Sequence, residues 1–122
     1  MEPIKPRISV EYAENATIIA FTDERILEER DILALQESIM SVIEQNDQIR
    51  LVLDFCNVKF LSSAVLGLLI RISKKVYERQ GQLKLCSISP KIYEVFKITR
   101  LTKVFDIHKD VTAAIEDLEA LS

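Results

Sequence analysis

The chain opens with two segments in which apolar and polar side chains alternate. Residues 7–12 alternate clearly and residues 16–21 less cleanly, and this period of two is typical of half-buried strands. The residues between them, 13–15, are short and polar enough for a turn, so the pattern predicts a β-hairpin. Residues 1–6 hold two of the three prolines, and we expect them to be a loose lead-in.

A helical period and then a continuous apolar run follow the hairpin. Residues 28–45 repeat apolar side chains every three or four positions, which predicts an amphipathic helix. Residues 50–55 contain three consecutive apolar residues, Leu51, Val52 and Leu53. A strand that is apolar on both faces is covered by layers above and below, and it usually runs parallel to its neighbours. We therefore expect a central strand here.

A second helix is predicted from Ser62 or Ser63 to Gln80. A serine before an apolar helical pattern is a cap candidate, because its hydroxyl can accept from the free amides of the first turn. Gly81 stands where helices commonly end with a left-handed residue. Gly67 lies inside the helix, where glycine costs about 0.5–1 kcal/mol relative to alanine, and we expect it to permit close helix packing.

The last part of the chain repeats the strand and helix pattern. Residues 82–87 and 104–107 are predicted strands. Each precedes a helix, the first capped by Ser89 with Pro90 at its first position and the second capped by Asp110. The order ββαβαβαβα predicts an α/β fold: a mixed five-stranded sheet, an N-terminal hairpin followed by right-handed βα units, with about four helices.

Length and charge narrow the class of protein. A chain of 122 residues is expected to form one domain over residues 1–122. A net charge of −3 gives no basic footprint for direct nucleic-acid binding, and no apolar run approaches the roughly 20 residues of a spanning helix. Cys56 and Cys86 are predicted to be buried thiols rather than a disulfide. These features predict a cytoplasmic protein without membrane insertion.

The sequence pattern gives little support for a catalytic site or a metal site. His108 is the only histidine, and no spacing of histidine and cysteine fits a metal site, so we expect a solvated loop histidine. The serines lack the Gly-x-Ser-x-Gly elbow of hydrolases, and two glycines cannot form a phosphate-binding loop. We expect no cofactor and no catalytic residue.

One motif in the chain resembles that of a known protein family. The pattern Asp-x-x-x-Val-x-Phe-Leu-x-Ser-x-x-Leu-Gly over residues 54–67 resembles the central motif of STAS domains of the anti-sigma factor antagonist type. Phe60, Leu66 and Gly67 match that motif, and Ser63 falls on the position that a kinase phosphorylates. Ser62 stands where the family has an aspartate, and Val65 replaces its first glycine. A second match, at residues 86–90 with Val95, Phe96 and Leu101, extends the resemblance over roughly residues 7 to 121.

The resemblance implies partner switching in bacterial transcription control. The unmodified protein would bind an anti-sigma factor, an ATP-binding serine kinase, and so free the sigma factor. Phosphorylation of Ser63 would release the partner, a phosphatase could reverse it, and the protein would be a monomer or weak dimer. The alternatives are a scaffold subunit of a signalling assembly, a soluble accessory of a lipid or anion transporter and, as the weakest, an enzyme with Ser63 as nucleophile.

Two serines compete for the phosphorylated position. A helix start carries about half a positive charge and binds anions readily, which suits a phosphate. Ser63 is our first choice and Ser62 the alternative acceptor. If Ser62 caps the helix, the hydroxyl of Ser63 in the first turn can face solvent.

The second helix is more apolar than a helix lying on a sheet requires. At 100° per residue its apolar side chains cover an arc of about 200°, twice the stripe of about 100° that burial against a sheet needs. We expect the surplus to be exposed and to bind the partner. The predicted surface comprises Ser62, Ser63, Val65, Leu68 and Ile72, with Leu68 at its exposed edge. The opposite edge, Ile70 and Tyr77, is the alternative.

Overall fold

A computed structural model describes residues 7–120. Seven strands occur in this range, and the last two residues of the chain lie outside it with the predicted lead-in 1–6. The strands are β1 (Ile8–Tyr12), β2 (Thr17–Phe21), β3 (Arg25–Ile26), β4 (Arg50–Asp54), β5 (Phe60–Leu61), β6 (Gln82–Cys86) and β7 (Ile107–His108). The helices of the same range are α1 (Glu29–Glu44), α2 (Ser63–Glu78), α3 (Pro90–Ile98) and α4 (Val111–Ala120), with a 3-10 turn at Leu101–Lys103.

Five of the strands form one mixed sheet in the order β1-β2-β4-β6-β7. β1 and β2 are antiparallel, with Tyr12 opposite Thr17 next to the turn, whereas β2, β4, β6 and β7 run parallel. The predicted α/β fold, with its N-terminal hairpin, mixed five-stranded sheet and four helices, is confirmed. β3 and β5 form a separate parallel ribbon of two residues each.

The central strand shows why the chain has helices on both faces of the sheet. Leu51 and Leu53 belong to a large buried cluster with residues of α1, α2 and α3. Val52 points the other way, into a smaller cluster with Ala114 and Leu118 of α4. Because successive side chains of a strand alternate between faces, a strand that is apolar at three consecutive positions requires cover on both sides.

The predicted last strand, residues 104–107, is wrong in its position. Residues 101–103 form a 3-10 turn after Arg100, whose φ of 61° is left-handed, and the strand begins only at Ile107. Val104, which the prediction placed in the strand, is exposed. Most apolar residues of this segment therefore lie in a turn, and only Ile107 belongs to the short edge strand.

The end of α2 also differs from the prediction. Gln80, with φ of 60°, is the left-handed residue, and Gly81 has no positive φ. The amide of Gly81 donates to the carbonyl oxygen of Val76 (2.9 Å) and that of Gln80 to Tyr77 (3.0 Å), which is the Schellman pattern. Gly81 is required for another reason: a Cβ there would lie 2.5 Å from the carbonyl oxygen of Ile49.

Candidate functional site

The parallel strands all end at the same edge of the sheet, which we call the carboxyl edge, and the motif lies there. After β4 the chain turns at once, because an oxygen of Asp54 accepts from the amide of Cys56 (3.0 Å) and the carbonyl of Phe55 accepts from Val58 (2.9 Å). The side-chain amide of Asn57 donates to the carbonyl of Phe21 (3.3 Å). The loop from β4 to α2 is thereby tied to the neighbouring strand.

The β3–β5 ribbon fixes the last residues before α2. The amides of Lys59 and Phe60 both donate to the carbonyl of Glu24, at 2.8 and 3.0 Å. The amide of Ser62 donates to the carbonyl of Ile26 at 3.0 Å. The start of α2 is therefore held by backbone hydrogen bonds to a segment 35–36 residues earlier, and its position does not depend on a side-chain cap.

The two serines at this helix start have different environments. Ser62 has the extended backbone of a cap residue (φ −88°, ψ 164°), but its side chain makes no capping hydrogen bond. Its hydroxyl oxygen is buried and has no hydrogen-bond partner among residues 7–120. Ser63 is the first residue of α2 and is exposed. Ser62 thus occupies the cap position by its backbone alone, and Ser63 presents its hydroxyl to solvent.

The expected exposed strip on α2 is wrong. Val65, Leu68 and Ile72 are fully buried, and all three belong to the large core cluster. The reason is that α1 packs along α2, so that α2 is covered from the side as well as from the sheet. Leu68 is therefore a core residue and not the edge of a binding surface.

The exposed face of α2 lies where the alternative edge was placed. Ile70 is 37% and Tyr77 52% exposed. Ser63, Gly67, Ile70 and Lys74 recur at spacings of three and four residues, so they share this outward face. A Cβ at Gly67 would meet only a terminal nitrogen of Arg71, at an ordinary 3.6 Å, so the expected close helix packing is wrong. Gly67 leaves bare backbone one turn from Ser63.

An aromatic ring flanked by two cations lies next to the motif serines. Phe60 is 40% exposed, with the Arg25 guanidinium 5.1 Å and the Lys91 ammonium 4.6 Å from its ring centroid. Arg25 reaches the ring from the paired strand β3, and Lys91 from the first turn of α3. Sequence reasoning missed this cluster, because three elements from separate parts of the chain form it.

Comparison with known proteins identifies the family. The family model described as "STAS domain" matches residues 8–114. The chain belongs to the STAS domain family. The resemblance read from the motif is thereby confirmed, and it extends over all seven strands and into α4.

Two relatives of this STAS domain are both named as anti-sigma factor antagonists. It is 29% identical over 80 residues to BtrV of Bordetella bronchiseptica, described as an anti-sigma factor antagonist, covering 66% of this chain and 68% of that protein. It is 22% identical over 116 residues to the anti-sigma F factor antagonist of Paenibacillus polymyxa, covering 95% of this chain and 97% of that protein.

Solved structures share the fold. A STAS domain protein from Planctomyces limnophilus, described as an anti-sigma-factor antagonist, superposes with a TM-score of 0.84 at 24% identity, covering 92% of this chain and 97% of that one. The phosphorylated form of SpoIIAA, a Bacillus cell fate determinant, superposes with a TM-score of 0.68 at 17% identity, covering 91% and 98%. No helix within residues 7–120 of this STAS domain is long and apolar enough to cross a membrane.

The cysteines of this STAS domain are both free, and only one is buried. Cys86 lies in the α4-side cluster, and burial raises the pKa of its thiol to about 12. Cys56 is exposed in the loop after β4, contrary to the prediction. Partial desolvation, followed by the charge of Asp54, raises the pKa of the Cys56 thiol, so neither cysteine is an activated nucleophile.

The lone histidine lies in an ionic cluster rather than in a solvated loop. His108 is in β7, with Nε2 3.3 Å from an oxygen of Asp106 and 3.6 Å from one of Asp117. One ligand atom from each of the three residues lies within 4.8 Å of the others, a spacing that a metal ion could use. The buried ammonium of Lys84 already binds both carboxylates, Asp117 at 2.7 Å. We therefore assign the cluster to stability.

Asp106 gives this cluster a defined pH dependence. Burial alone would raise its pKa, but the hydrogen bond and charge of Lys84 outweigh burial and hold the pKa below the usual 3.8. A carboxylate with a lowered folded pKa contributes stability above its unfolded pKa and loses it as the pH falls through the folded value.

We expect Asp106→Asn to lower the free energy of unfolding by about 1 kcal/mol at pH 6, because the half-exposed carboxylate is partly screened. The difference from wild type should shrink below about pH 4, as the wild-type carboxylate takes up its proton. Urea unfolding at pH 6 and at pH 3 measures both values. A difference that is unchanged at pH 3 would show that Asp106 acts through packing and not through its charge.

Proposed function

We propose that this STAS domain protein is an anti-sigma factor antagonist of the bacterial cytoplasm that is switched by phosphorylation of Ser63. The unmodified protein binds an anti-sigma factor and frees the sigma factor; the phosphorylated protein releases its partner. The observation that carries the proposal is the exposed hydroxyl of Ser63 at the first position of a helix, beside a serine whose oxygen is buried. A kinase can therefore reach the Ser63 hydroxyl but not the buried oxygen of Ser62.

The proposed switch works by charge and needs no refolding. A phosphoserine brings about −1.5 to −2 charges, and the start of a helix accommodates an anion. The backbone hydrogen bonds of Phe60 and Ser62 hold this helix start independently of the Ser63 side chain. The same charge, buried unpaired against a partner, costs several kcal/mol.

The contact surface that we now propose is the outward face of α2. This surface consists of Ser63, Gly67, Ile70 and Lys74. It takes the place of the predicted surface, whose residues Val65, Leu68 and Ile72 are buried. Bare backbone at Gly67 lets a partner approach closely within one turn of the phosphorylated position, so a phosphate there would stand inside the contact. Ser62, whose hydroxyl points inward, contributes through its backbone position.

The protein is proposed to act by binding and not by catalysis. A nucleophilic serine needs a base within hydrogen-bond reach. The only histidine, His108, is paired in register with Cys86 and lies beside Asp117 of α4, on the face of the sheet opposite α2. It is therefore not placed to activate Ser63.

Phosphate labelling tests this proposal. Incubation with ATP and an ATP-binding anti-sigma factor kinase from the same genome should add one phosphate, and peptide mapping should find it on Ser63. Ser63→Ala should abolish labelling, whereas the matched variant Ser62→Ala should be labelled like wild type. Phosphate on Ser62, or no incorporation with kinases that are active on another antagonist, would refute the assignment.

A further inference from the structure

A second exposed strip runs along α3. Lys91, Val95 and Ile98 are four and three residues apart, so they lie in line on one face of this helix. Val95 is 38% and Ile98 78% exposed, although Ile92 and Phe96 already anchor α3 in the core. At its first turn the line meets the ring of Phe60, on which the Lys91 ammonium lies. We call Phe60, Lys91, Val95 and Ile98 the α3 strip.

The surroundings of the α3 strip are basic in an otherwise acidic chain. Residues 91–103 hold four basic residues and one acidic residue, a local charge of +3 against −3 for the whole protein. Lys91 and Arg25 both contact the Phe60 ring, and neither has a carboxylate within ion-pair distance among residues 7–120. Unpaired cations around exposed apolar side chains are complementary to an acidic partner with an apolar anchor.

We propose that the α3 strip docks an acidic segment of the anti-sigma factor, with an apolar side chain of that segment seated on Ile98 and Val95. This inference rests on the proposed function and adds a second contact, which adjoins the outward face of α2. The two contacts are continuous at the carboxyl edge, because Phe60 precedes Ser63 by three residues and backbone hydrogen bonds from Phe60 and Ser62 hold this segment against residues 24–26.

The dimensions of the strip favour a protein segment over a membrane surface. The line from Lys91 to Ile98 spans about 10 Å at 1.5 Å per residue. A helix that binds a membrane needs a broad apolar face, which sinks about 5–10 Å into the headgroup region. Here the apolar side of α3 faces the core through Ile92 and Phe96. The exposed apolar side chains of α3 are Val95 and Ile98 on the strip and Tyr93 on another side of the helix, so they do not form one broad face.

Binding measurements with the kinase that labels Ser63 test this contact. Isothermal titration of the unphosphorylated protein should show about tenfold weaker binding for Ile98→Ala and for Lys91→Glu. Because Lys91 acts through charge, Lys91→Glu should also reduce the loss of affinity between 50 and 300 mM salt. Ile98→Ala should melt near wild type, since the side chain is largely exposed. Tyr12→Ala, an apolar control 63% exposed at the opposite edge of the sheet, should bind like wild type.

The outcomes separate this inference from the proposed function. If wild type binds the kinase and both α3 variants bind equally well, the α3 strip is not the docking site and the proposed function stands. If wild type binds no anti-sigma factor, both proposals fail. Sedimentation with phosphatidylglycerol vesicles that Lys91→Glu abolishes, while kinase binding is unchanged, would assign the strip to a membrane and overturn the docking proposal.

Discussion

Phosphate on Ser63 is expected to weaken binding of the anti-sigma factor by about a thousandfold, and Ser63→Asp by about tenfold or more. A phosphate brings about −1.5 to −2 charges to an exposed position that the complex would bury. An unpaired buried charge of this size costs several kcal/mol, and about 4 kcal/mol is a thousandfold in affinity. Aspartate brings a single charge on a shorter side chain, so its effect is smaller.

Isothermal titration of wild type, phosphorylated protein and both Ser63 variants measures the series. Ser63→Ala should bind at near wild-type strength, because it removes a hydroxyl without adding charge. Both variants should remain folded, since an acidic group at a helix N-terminus is tolerated or mildly stabilising. Equal affinities of the Asp and Ala variants would contradict a switch that works by excluding charge.

Leu68→Ala is expected to lower the free energy of unfolding by 2–5 kcal/mol, the typical cost of cutting a buried leucine to alanine. Leu68 is fully buried in the cluster that joins α1, α2 and the sheet, so a cavity would remain. Such a loss corresponds to a fall in Tm of about 10 °C or more for a chain of this size.

Thermal and urea unfolding of Leu68→Ala beside Ile70→Ala measures the difference directly. Ile70 lies two residues further along the same helix and is 37% exposed, so its truncation should cost much less. A Leu68→Ala protein that melts like wild type would mean that α2 is not covered on this side. Leu68 would then lie at the exposed edge of α2, as the sequence pattern predicted.

The apolar arc of α2 illustrates what a helical wheel cannot decide. The buried residues from Val65 to Val76 cover an arc of about 160° at 100° per residue, against about 100° for a helix that only lies on a sheet. The surplus is covered by α1, which packs along α2. The amount of apolar surface was visible in the sequence, but the neighbour that covers it is set by chain topology.

The two serines illustrate the same limit at the site itself. The sequence placed both at the start of a helix, and the family motif pointed to Ser63. The ribbon of β3 and β5 orients the chain before α2. As a result, the Ser62 oxygen is buried and Ser63 is exposed. Strands of two residues have no period, so the sequence pattern does not reveal them.

The amino-acid sequence alone sufficed to predict the features that depend on local period and local hydrogen bonds. It determined the hairpin, the central strand apolar on both faces, the helix starts at Ser89 and Asp110, and the motif that names the family. The packed fold was needed to see that Lys84 is buried between two carboxylates, that Gly81 lies against Ile49, and that Phe60 contacts Lys91. The reason is physical: periods and caps involve residues within a few positions of each other, whereas burial and charge pairing are set by residues that only the packed sheet and helices bring together.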